Sequence, residues 1–410
     1  MKITKLSLAA IAVMSLSTGA MAEVTSEFSG SAKIWYETAD SDGGGDNGLF
    51  HQHASGITHG DAAVSIEAKG KAGVLGYGFK YTAVDTLGLE NNLVSGRRTP
   101  NSKSDPMGTA HWAEKAFITY QMGKTTAKIG RQHLNTPLAF TEAWNVSANS
   151  FDAAVLINSD IENVTLIGAY VGRGNGGNPN IAGFSTVQAS GKFQSYVDSG
   201  AYAAAVLAKP MKGLGINAWY YNVQKVADAV WLDANYAIGG VKLGAIYAQM
   251  MPKGAGDDTT AFALKAGSKV GPVSLFAAYS DISEKGALPV ANTATGFKKT
   301  KLPTAGVYND GFIVASPGAK TFKLKAVYPV GSVKLIGQYI STTNDNASGS
   351  NPKGIQGREV DEIDLIAATK IADINLKAIF VNRAFGTNAK NGVVVKSDSN
   401  HVRIIAGINF

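Results

Sequence analysis

Residues that could carry out chemistry are concentrated in one short stretch, GRQHLNTPLAF at residues 130–140. Arg131 and His133 lie two residues apart and are followed by the pair Thr136-Pro137. An arginine beside a histidine could bind an anion or assist acid–base catalysis near neutral pH. The stretch could equally be a simple corner of the chain. Its role depends on the elements that position it.

Other candidate motifs are weaker. GRGNGG at 172–177 has the glycines of a phosphate-binding loop, but no helical pattern follows it, so we interpret it as a loop. The histidines of 51–59 and the aspartates of 40–48 lack the full spacing of a metal site. No Ser-His-Asp order stands out. We therefore assign no metal, no cofactor and no catalytic residue.

Composition excludes several classes of protein. The 410 residues include no cysteine, which rules out disulfides, thiolate metal sites and cysteine catalysis. The net charge is only +7, and the basic residues are scattered without interleaved aromatics, so no nucleic-acid partner is expected. A mean hydropathy of −0.00 with 47 glycines favours many strands that are each apolar on one face.

The first 22 residues have the pattern of a secretory signal peptide. Lys2 and Lys5 precede a short apolar run, and Ala20-Met21-Ala22 matches a cleavage site before Glu23. The run is too short to act as a membrane anchor. We therefore predict a signal peptide at 1–22 and a single domain at 23–410. Removing the two lysines of the leader lowers the net charge from +7 to +5.

After the leader, apolar residues recur with period two and no long helical pattern is present. In SEFSGSAKIWYET, for example, Ile34 and Tyr36 share one face, and Lys33 and Glu37 share the other. About 18 such segments can be delimited, with 16 as the alternative count. Their predicted spans are 26–38, 60–70, 72–84, 112–121, 124–131, 151–158, 161–172, 199–210, 213–224, 227–237, 240–250, 258–269, 271–281, 319–329, 331–341, 359–371, 373–383 and 399–410.

The connections alternate between short joints and long loops. Short turns on one rim and long loops on the other are typical of a transmembrane antiparallel β-barrel. An even strand number closes the sheet, which matters because lipid cannot satisfy an open edge. The chain also ends on Phe410 after alternating apolar residues, as outer-membrane barrels do. We therefore predict an all-β barrel with short periplasmic turns, long external loops and an aqueous interior.

GRQHLNTPL followed by NSFDAAVLIN at 149–158 resembles the OprD-type porins and the related bacterial major outer-membrane porins. The resemblance implies an 18-stranded outer-membrane barrel whose third long loop, 132–150, folds into the lumen. The apolar residues of this loop, including Leu138 and Phe140, fit such a fold. One departure is that Glu142 is the only residue ionisable at neutral pH between His133 and Ser150. This departure weakens the case for a dedicated substrate site.

The predicted pore constriction consists of residues that surround or belong to this loop: Arg131, His133, Thr136, Pro137, Glu142 and Trp144. Strict alternation points Arg131 outward, whereas the resemblance and the cost of a lipid-facing arginine favour a bulge that turns it inward. Glu142 is then its expected counter-charge.

Alternation also predicts which charges line the wall. The predicted cations are Lys33, Lys115, Lys128, Lys242, Lys323, Lys325, Lys334, Lys377, Arg383 and Arg403. The predicted anions are Glu37, Glu67, Asp233, Glu362 and Asp364.

These patterns predict a porin in the bacterial outer membrane that allows passive diffusion of small hydrophilic solutes and ions. Because the predicted wall is net basic, a mild preference for anions is expected. One alternative is a channel selective for small carboxylate-bearing solutes, and a less favoured one is an outer-membrane enzyme. Outer-membrane lipid is the expected surrounding partner. The related porins include monomers and trimers, so a homotrimer is one of the expected assemblies.

Overall fold

The computed structural model describes residues 24–41, 48–50, 58–87, 89, 110–176, 193–195, 199–344, 358–388 and 394–410. The predicted signal peptide at 1–22 lies outside these residues and stays a prediction. Most of the aspartate motif at 40–48 and of the histidine motif at 51–59 also lies outside them.

The described residues form nineteen strands and two short helical turns. The strands are β1 (Val24–Ser41), β2 (His59–Ala72), β3 (Leu75–Asp85), β4 (Ala110–Met122), β5 (Thr125–Gln132), β6 (Phe151–Asn158), β7 (Val164–Gly174), β8 (Gln194–Ser195), β9 (Ala201–Met211), β10 (Leu214–Val223), β11 (Ala227–Ile238), β12 (Val241–Pro252), β13 (Thr259–Val270), β14 (Val273–Ile282), β15 (Ala319–Val330), β16 (Val333–Asn344), β17 (Arg358–Ile371), β18 (Ile374–Asn388) and β19 (Val394–Asn409). The helical turns are a 3₁₀ turn at Thr293–Thr295 and α1 at Gly311–Val314.

The sheet closes on itself. β1 pairs antiparallel with β2 on one side and with β19 on the other, so the described strands leave no free edge between the chain ends. β8 is a two-residue strand that pairs only with the end of β7, and the other eighteen strands form the wall. The prediction of an 18-stranded antiparallel barrel is confirmed. The alternative count of 16 is wrong.

Connections on one rim are tight. Gly239 and Gly240 join β11 to β12 with φ angles of 55° and 82°, values that a two-residue hairpin turn of this hand requires. The predicted spans 60–70 and 72–84 left only Lys71 for the turn between β2 and β3, whereas the structure centres this turn on Gly73 and Val74. The turn after β6 spans residues 159–163. The opposite rim carries the long loops, as predicted.

The two faces of the wall differ in chemistry. In β1, Ile34 is 54% exposed on the outer face, whereas Trp35 and Glu37 on the inner face are at most 1% exposed. The same alternation of exposed apolar and enclosed polar residues recurs around the barrel and matches a lipid-facing exterior. No helix within the described ranges is long and apolar enough to cross a membrane.

Candidate functional site

The third loop, residues 133–150, turns into the barrel directly after β5. Its tip is closed by Thr136, whose Oγ1 donates a hydrogen bond to the Ala139 carbonyl at 2.6 Å. Pro137 restricts φ at the bend. Leu138, at 1% exposure, then packs among apolar residues of the barrel wall. The predicted inward folding of this loop is confirmed, but Thr136 and Leu138 support the tip rather than face solvent.

The seventh loop, residues 283–318, also folds into the barrel, which the sequence patterns did not predict. Asn292 joins the two loops. Its Oδ1 accepts a hydrogen bond from the Phe140 N–H at 3.1 Å, and its Nδ2 donates to the Phe140 carbonyl at 2.9 Å. The Thr293 N–H donates to the Leu138 carbonyl at 2.9 Å. The third and seventh loops are therefore linked by the Asn292 side chain, which bonds both backbone groups of Phe140, and by one backbone–backbone hydrogen bond.

Glu142 lies at the junction of these loops and is only 3% exposed. Its Oε1 accepts hydrogen bonds from Asn292 Nδ2 at 2.9 Å and from Thr295 Oγ1, and its Oε2 accepts one from Trp144 Nε1 at 2.8 Å. Burial raises the pKa of Glu142, and the three hydrogen bonds partly oppose that rise. Glu142 therefore holds the loops together instead of presenting a charge to solutes.

The loops cover the inner face of β10–β14 with apolar side chains. Leu138 of the third loop and Val290, Phe297, Leu302 and Val314 of the seventh loop form one buried cluster with the inner face of β10–β14. The wall residues of this cluster include Trp219, Tyr221, Trp231, Ile246, Met250, Ala261 and Ala263. The sequence patterns predicted the apolar residues of the third loop but not those of the seventh. The two loops bring their own apolar side chains and pack them as a buried cluster against this part of the barrel wall.

Most of the predicted wall charges lie outside β10–β14. The strand registers put every predicted pore-wall residue on the inner face, and most of the cations lie on β15–β19 and β1–β5. Within the described chain, Lys325, Lys334 and Lys377 have no ion pair with a carboxylate, and Lys128 lies 3.8 Å from the centroid of the Phe117 ring. The contribution of these residues to permeation stays a prediction.

Several predicted wall anions are buried or already have partners within the wall. Glu67 Oε1 lies 2.9 Å from Lys115 Nζ. Glu362 and Asp364 are 0% exposed beneath the seventh loop. Asp233 Oδ1 accepts a hydrogen bond from Asn217 Nδ2 at 2.8 Å.

Both loops contact the wall at Arg403. Its Nη2 lies 3.1 Å from Glu37 Oε2 and donates to the Tyr308 hydroxyl at 3.0 Å. The guanidinium carbon also lies 5.0 Å from the Trp35 ring centroid and 5.6 Å from that of Trp144. Trp144 belongs to the third loop and Tyr308 to the seventh, so both loops converge on this one cluster of the wall.

The sequence matches the Gram-negative porin family model over residues 7–310, well over half of the chain. The chain belongs to this family of Gram-negative porins. No curated protein matches it significantly. The resemblance to porins that the sequence motifs indicated is thereby confirmed, and so is the outer membrane of the bacterial cell as the porin's location.

Solved structures share the fold of this porin at low sequence identity. OccK3 (OpdO) of Pseudomonas aeruginosa superimposes with a TM-score of 0.70 at 14% identity, covering 94% of this chain and 95% of that one. OccK1 (OpdK) of the same organism gives 0.71 at 10% identity, with 94% and 98% covered. OccAB1 of Acinetobacter baumannii gives 0.71 at 12% identity, with 94% and 96% covered.

Arg131 does not occupy the position that we predicted in this porin. Neither ladder of β5 contains a register shift, so Arg131 keeps the outward phase of Ile129 and no bulge turns it inward. Its Nε lies 2.8 Å from Asp152 Oδ1, and its Nη1 donates to the Ala113 carbonyl at 3.0 Å. Arg173 Nη2 lies 2.8 Å from the same carboxylate. The counter-charge of Arg131 is therefore Asp152 and not Glu142.

His133 lies against an ion cluster of the wall. Its Nε2 is 3.0 Å from Glu114 Oε1, which also lies 2.8 Å from Lys80 Nζ. Glu114 sits where the register between β3 and β4 shifts, so a bulge places it beside the inward-facing Lys115. Among the described residues, no group of three or more His, Asp or Glu side chains could hold a metal ion.

Sequence reasoning missed Lys80, Glu114 and Tyr308. Lys80 alternates with Phe79 and Tyr81, so the period-two signal for it was available. Tyr308 belongs to a long loop that is rich in apolar residues, and the same signal had identified the third loop. Glu114 had no signal, because a one-residue bulge leaves no mark in an alternating pattern.

Proposed function

We propose that this porin is a passive diffusion channel for small hydrophilic solutes and that it prefers anions. The observation that supports the preference is the group Lys325, Lys334 and Lys377, which have no carboxylate partner in the described chain and lie on the inner face of β15, β16 and β18. Positive side chains along a narrow lumen raise the local concentration of anions. Solutes move down their own gradients, and the outer face contacts lipid. A homotrimer stays one of the proposed assemblies.

A second candidate function is selectivity for small carboxylates. It is favoured by Arg403, whose planar guanidinium lies beside the Trp144 and Tyr308 rings at the constriction. A structure of OpdK with vanillate is among the porins of this fold, at 10% identity to this chain. In this chain Arg403 is already paired with Glu37. We therefore favour a general preference for anions over a dedicated carboxylate site.

Planar-bilayer recordings under a salt gradient test the proposal. We expect open channels whose reversal potential has the sign of anion preference. Clear cation preference would refute the charge assignment, and the absence of channels would refute the porin function.

Liposome swelling separates the two candidates. A general porin ranks neutral and carboxylate solutes by size, whereas a selective one admits carboxylates faster than neutral solutes of equal size. Absence of swelling together with hydrolysis of ester or glycoside substrates would instead favour an enzyme.

A further inference from the structure

We propose that Glu362 is a positioning residue that fixes the tip of the seventh loop, and with it Tyr308, at the constriction. This inference rests on the proposed channel function. It assigns to a carboxylate on β17 the task of setting the shape of the passage. The tip consists of residues 305–309.

The contacts of Glu362 are directed at the backbone of the tip. Oε1 accepts hydrogen bonds from the N–H groups of Val307 at 2.6 Å and Tyr308 at 3.1 Å. Oε2 accepts from the N–H groups of Asn309 at 2.6 Å and Tyr308 at 3.2 Å. Three successive N–H groups therefore converge on one carboxylate, a concave arrangement that binds anions well. Hydrogen bonds to an ionised acceptor are also the stronger kind.

Neighbouring wall residues reinforce this attachment. Arg383 Nε lies 3.5 Å from Glu362 Oε2, and Arg383 Nη2 donates to Asn309 Oδ1 at 3.1 Å. Lys323 Nζ donates to the Ala305 carbonyl. The tip is therefore held at both ends, with Glu362 at the centre and fully buried.

The position of the tip determines which side chains lie in the passage. The Tyr308 hydroxyl donates a hydrogen bond to Glu37 Oε1, and the Tyr308 ring centroid lies 5.3 Å from the Arg403 guanidinium carbon. If the tip leaves Glu362, Tyr308 also leaves Arg403. The passage would then be wider and the loop would fluctuate.

A charge effect has to be separated from a positioning effect, and Gly306 makes that separation feasible. A Cβ atom at Gly306 would lie 2.3 Å from Glu362 Oε1 and 3.1 Å from Ile340 Cδ1. Gly306→Ala therefore disturbs the attachment without changing any charge. Glu67→Gln is the converse control, because Glu67 is an inner-face carboxylate paired with Lys115 and makes no described contact with the seventh loop.

The experiment records single-channel conductance, open-channel current noise and reversal potential for the wild type, Glu362→Gln, Gly306→Ala and Glu67→Gln in planar bilayers. Positioning predicts that Glu362→Gln and Gly306→Ala both raise the noise about twofold or more and raise conductance, whereas Glu67→Gln changes the reversal potential alone. In a Tyr308→Ala background, Glu362→Gln should add little further conductance, because the two changes act through one element.

The proposal is overturned if Gly306→Ala matches the wild type and Glu362→Gln behaves like Glu67→Gln. Loss of channels in the wild type would instead refute the proposed function itself.

Because a variant can fail to fold, folding is checked by heat-dependent gel mobility, and a second measurement follows the loop directly. The chain has no cysteine, so Thr304→Cys, at a site that is 0% exposed, reports loop release. Its labelling by a thiol reagent should be about tenfold faster when Glu362→Gln is added, and an unchanged rate would contradict the proposal.

Discussion

At the residue scale, Lys377 best represents the unbalanced charge of the wall. It projects from the inner face of β18, where Lys334 and Arg403 are its charged neighbours. We expect Lys377→Ala to move the reversal potential towards cation preference and to change the free energy of unfolding by less than about 1 kcal/mol, because an unpaired lysine contributes little stability. The measurement is the reversal potential under a salt gradient.

Lys320→Ala is the matched control, since Lys320 lies on the outer face opposite Asp281. Equal shifts in both variants would contradict the assignment of Lys377 to the passage.

Glu142 predicts a pH dependence of loop docking. Burial raises its pKa above the ordinary value of 4.5, and burial also raises the pKa of Asp310 in the seventh loop. Docked loops therefore bind these protons more tightly than undocked loops do. Docking should be tightest near and below pH 4.5 and should weaken as the pH rises through the raised values. Lys299 and Lys301 face these carboxyl groups, and burial lowers the pKa of Lys301.

Hydrogen exchange of the Thr293 amide, corrected for the intrinsic effect of pH, measures this docking. Glu142→Gln should reduce the pH slope without abolishing it, because Asp310 still titrates. A slope that is unchanged by Glu142→Gln would refute the role of Glu142.

At the element scale, one carboxylate joins three neighbouring strands. Asp152 on β6 lies between Arg131 on β5 and Arg173 on β7, and Arg173 is 57% exposed whereas Asp152 is 20% exposed. We expect Asp152→Asn to lower the free energy of unfolding by about 2–3 kcal/mol, because it leaves two arginines without their counter-charge. Arg173→Ala should lower the free energy of unfolding by less than about 1 kcal/mol, since the Arg173 side chain is largely solvated.

Heat-induced unfolding in detergent, followed by gel mobility, ranks these variants. Arg131→Ala should lower the free energy of unfolding by an amount between those expected for Arg173→Ala and Asp152→Asn. It should leave conductance and ion preference unchanged. A marked change of ion preference in Arg131→Ala would contradict this assignment and would support the predicted place of Arg131 at the constriction.

The elements themselves were predictable because each wall strand has one face in lipid. That environment imposes a period of two on every strand, and the predicted span 151–158 coincides with β6. The phase of Arg131 was misjudged because the cost of an outward arginine was weighed without its partner. Asp152 pairs with Arg131 across the ladder, and that partnership depends on strand register.

At the scale of the whole molecule, the two loops form an apolar cluster with the inner face of β10–β14, whereas most of the predicted cations lie on other strands. Cysteine substitution tests this difference, because the chain has no native cysteine. Lys325→Cys on β15 should react with a small anionic thiol reagent and reduce the current. Ala263→Cys, at a site that is 1% exposed under the loops, should react at least about tenfold more slowly.

Both cysteine variants lie on the inner face, so they differ in cover and not in orientation. Similar reaction rates would show that the loops leave the inner face of β10–β14 open and would contradict the apolar cover there.

Much of the structure of this porin could be predicted from its sequence, because it follows from local physical constraints. Alternating strands, unequal connections and the apolar third loop follow from contact with lipid on one side and with polar groups on the other, and those constraints act on each residue separately. The tertiary structure alone decided which charges stay unpaired, where Glu142 and Glu362 are buried, and how the seventh loop meets the third. Each of these depends on contacts between residues far apart in the chain: Tyr308 meets Glu37 across 271 positions. No periodicity within a strand encodes such a meeting, because barrel closure and loop docking create it.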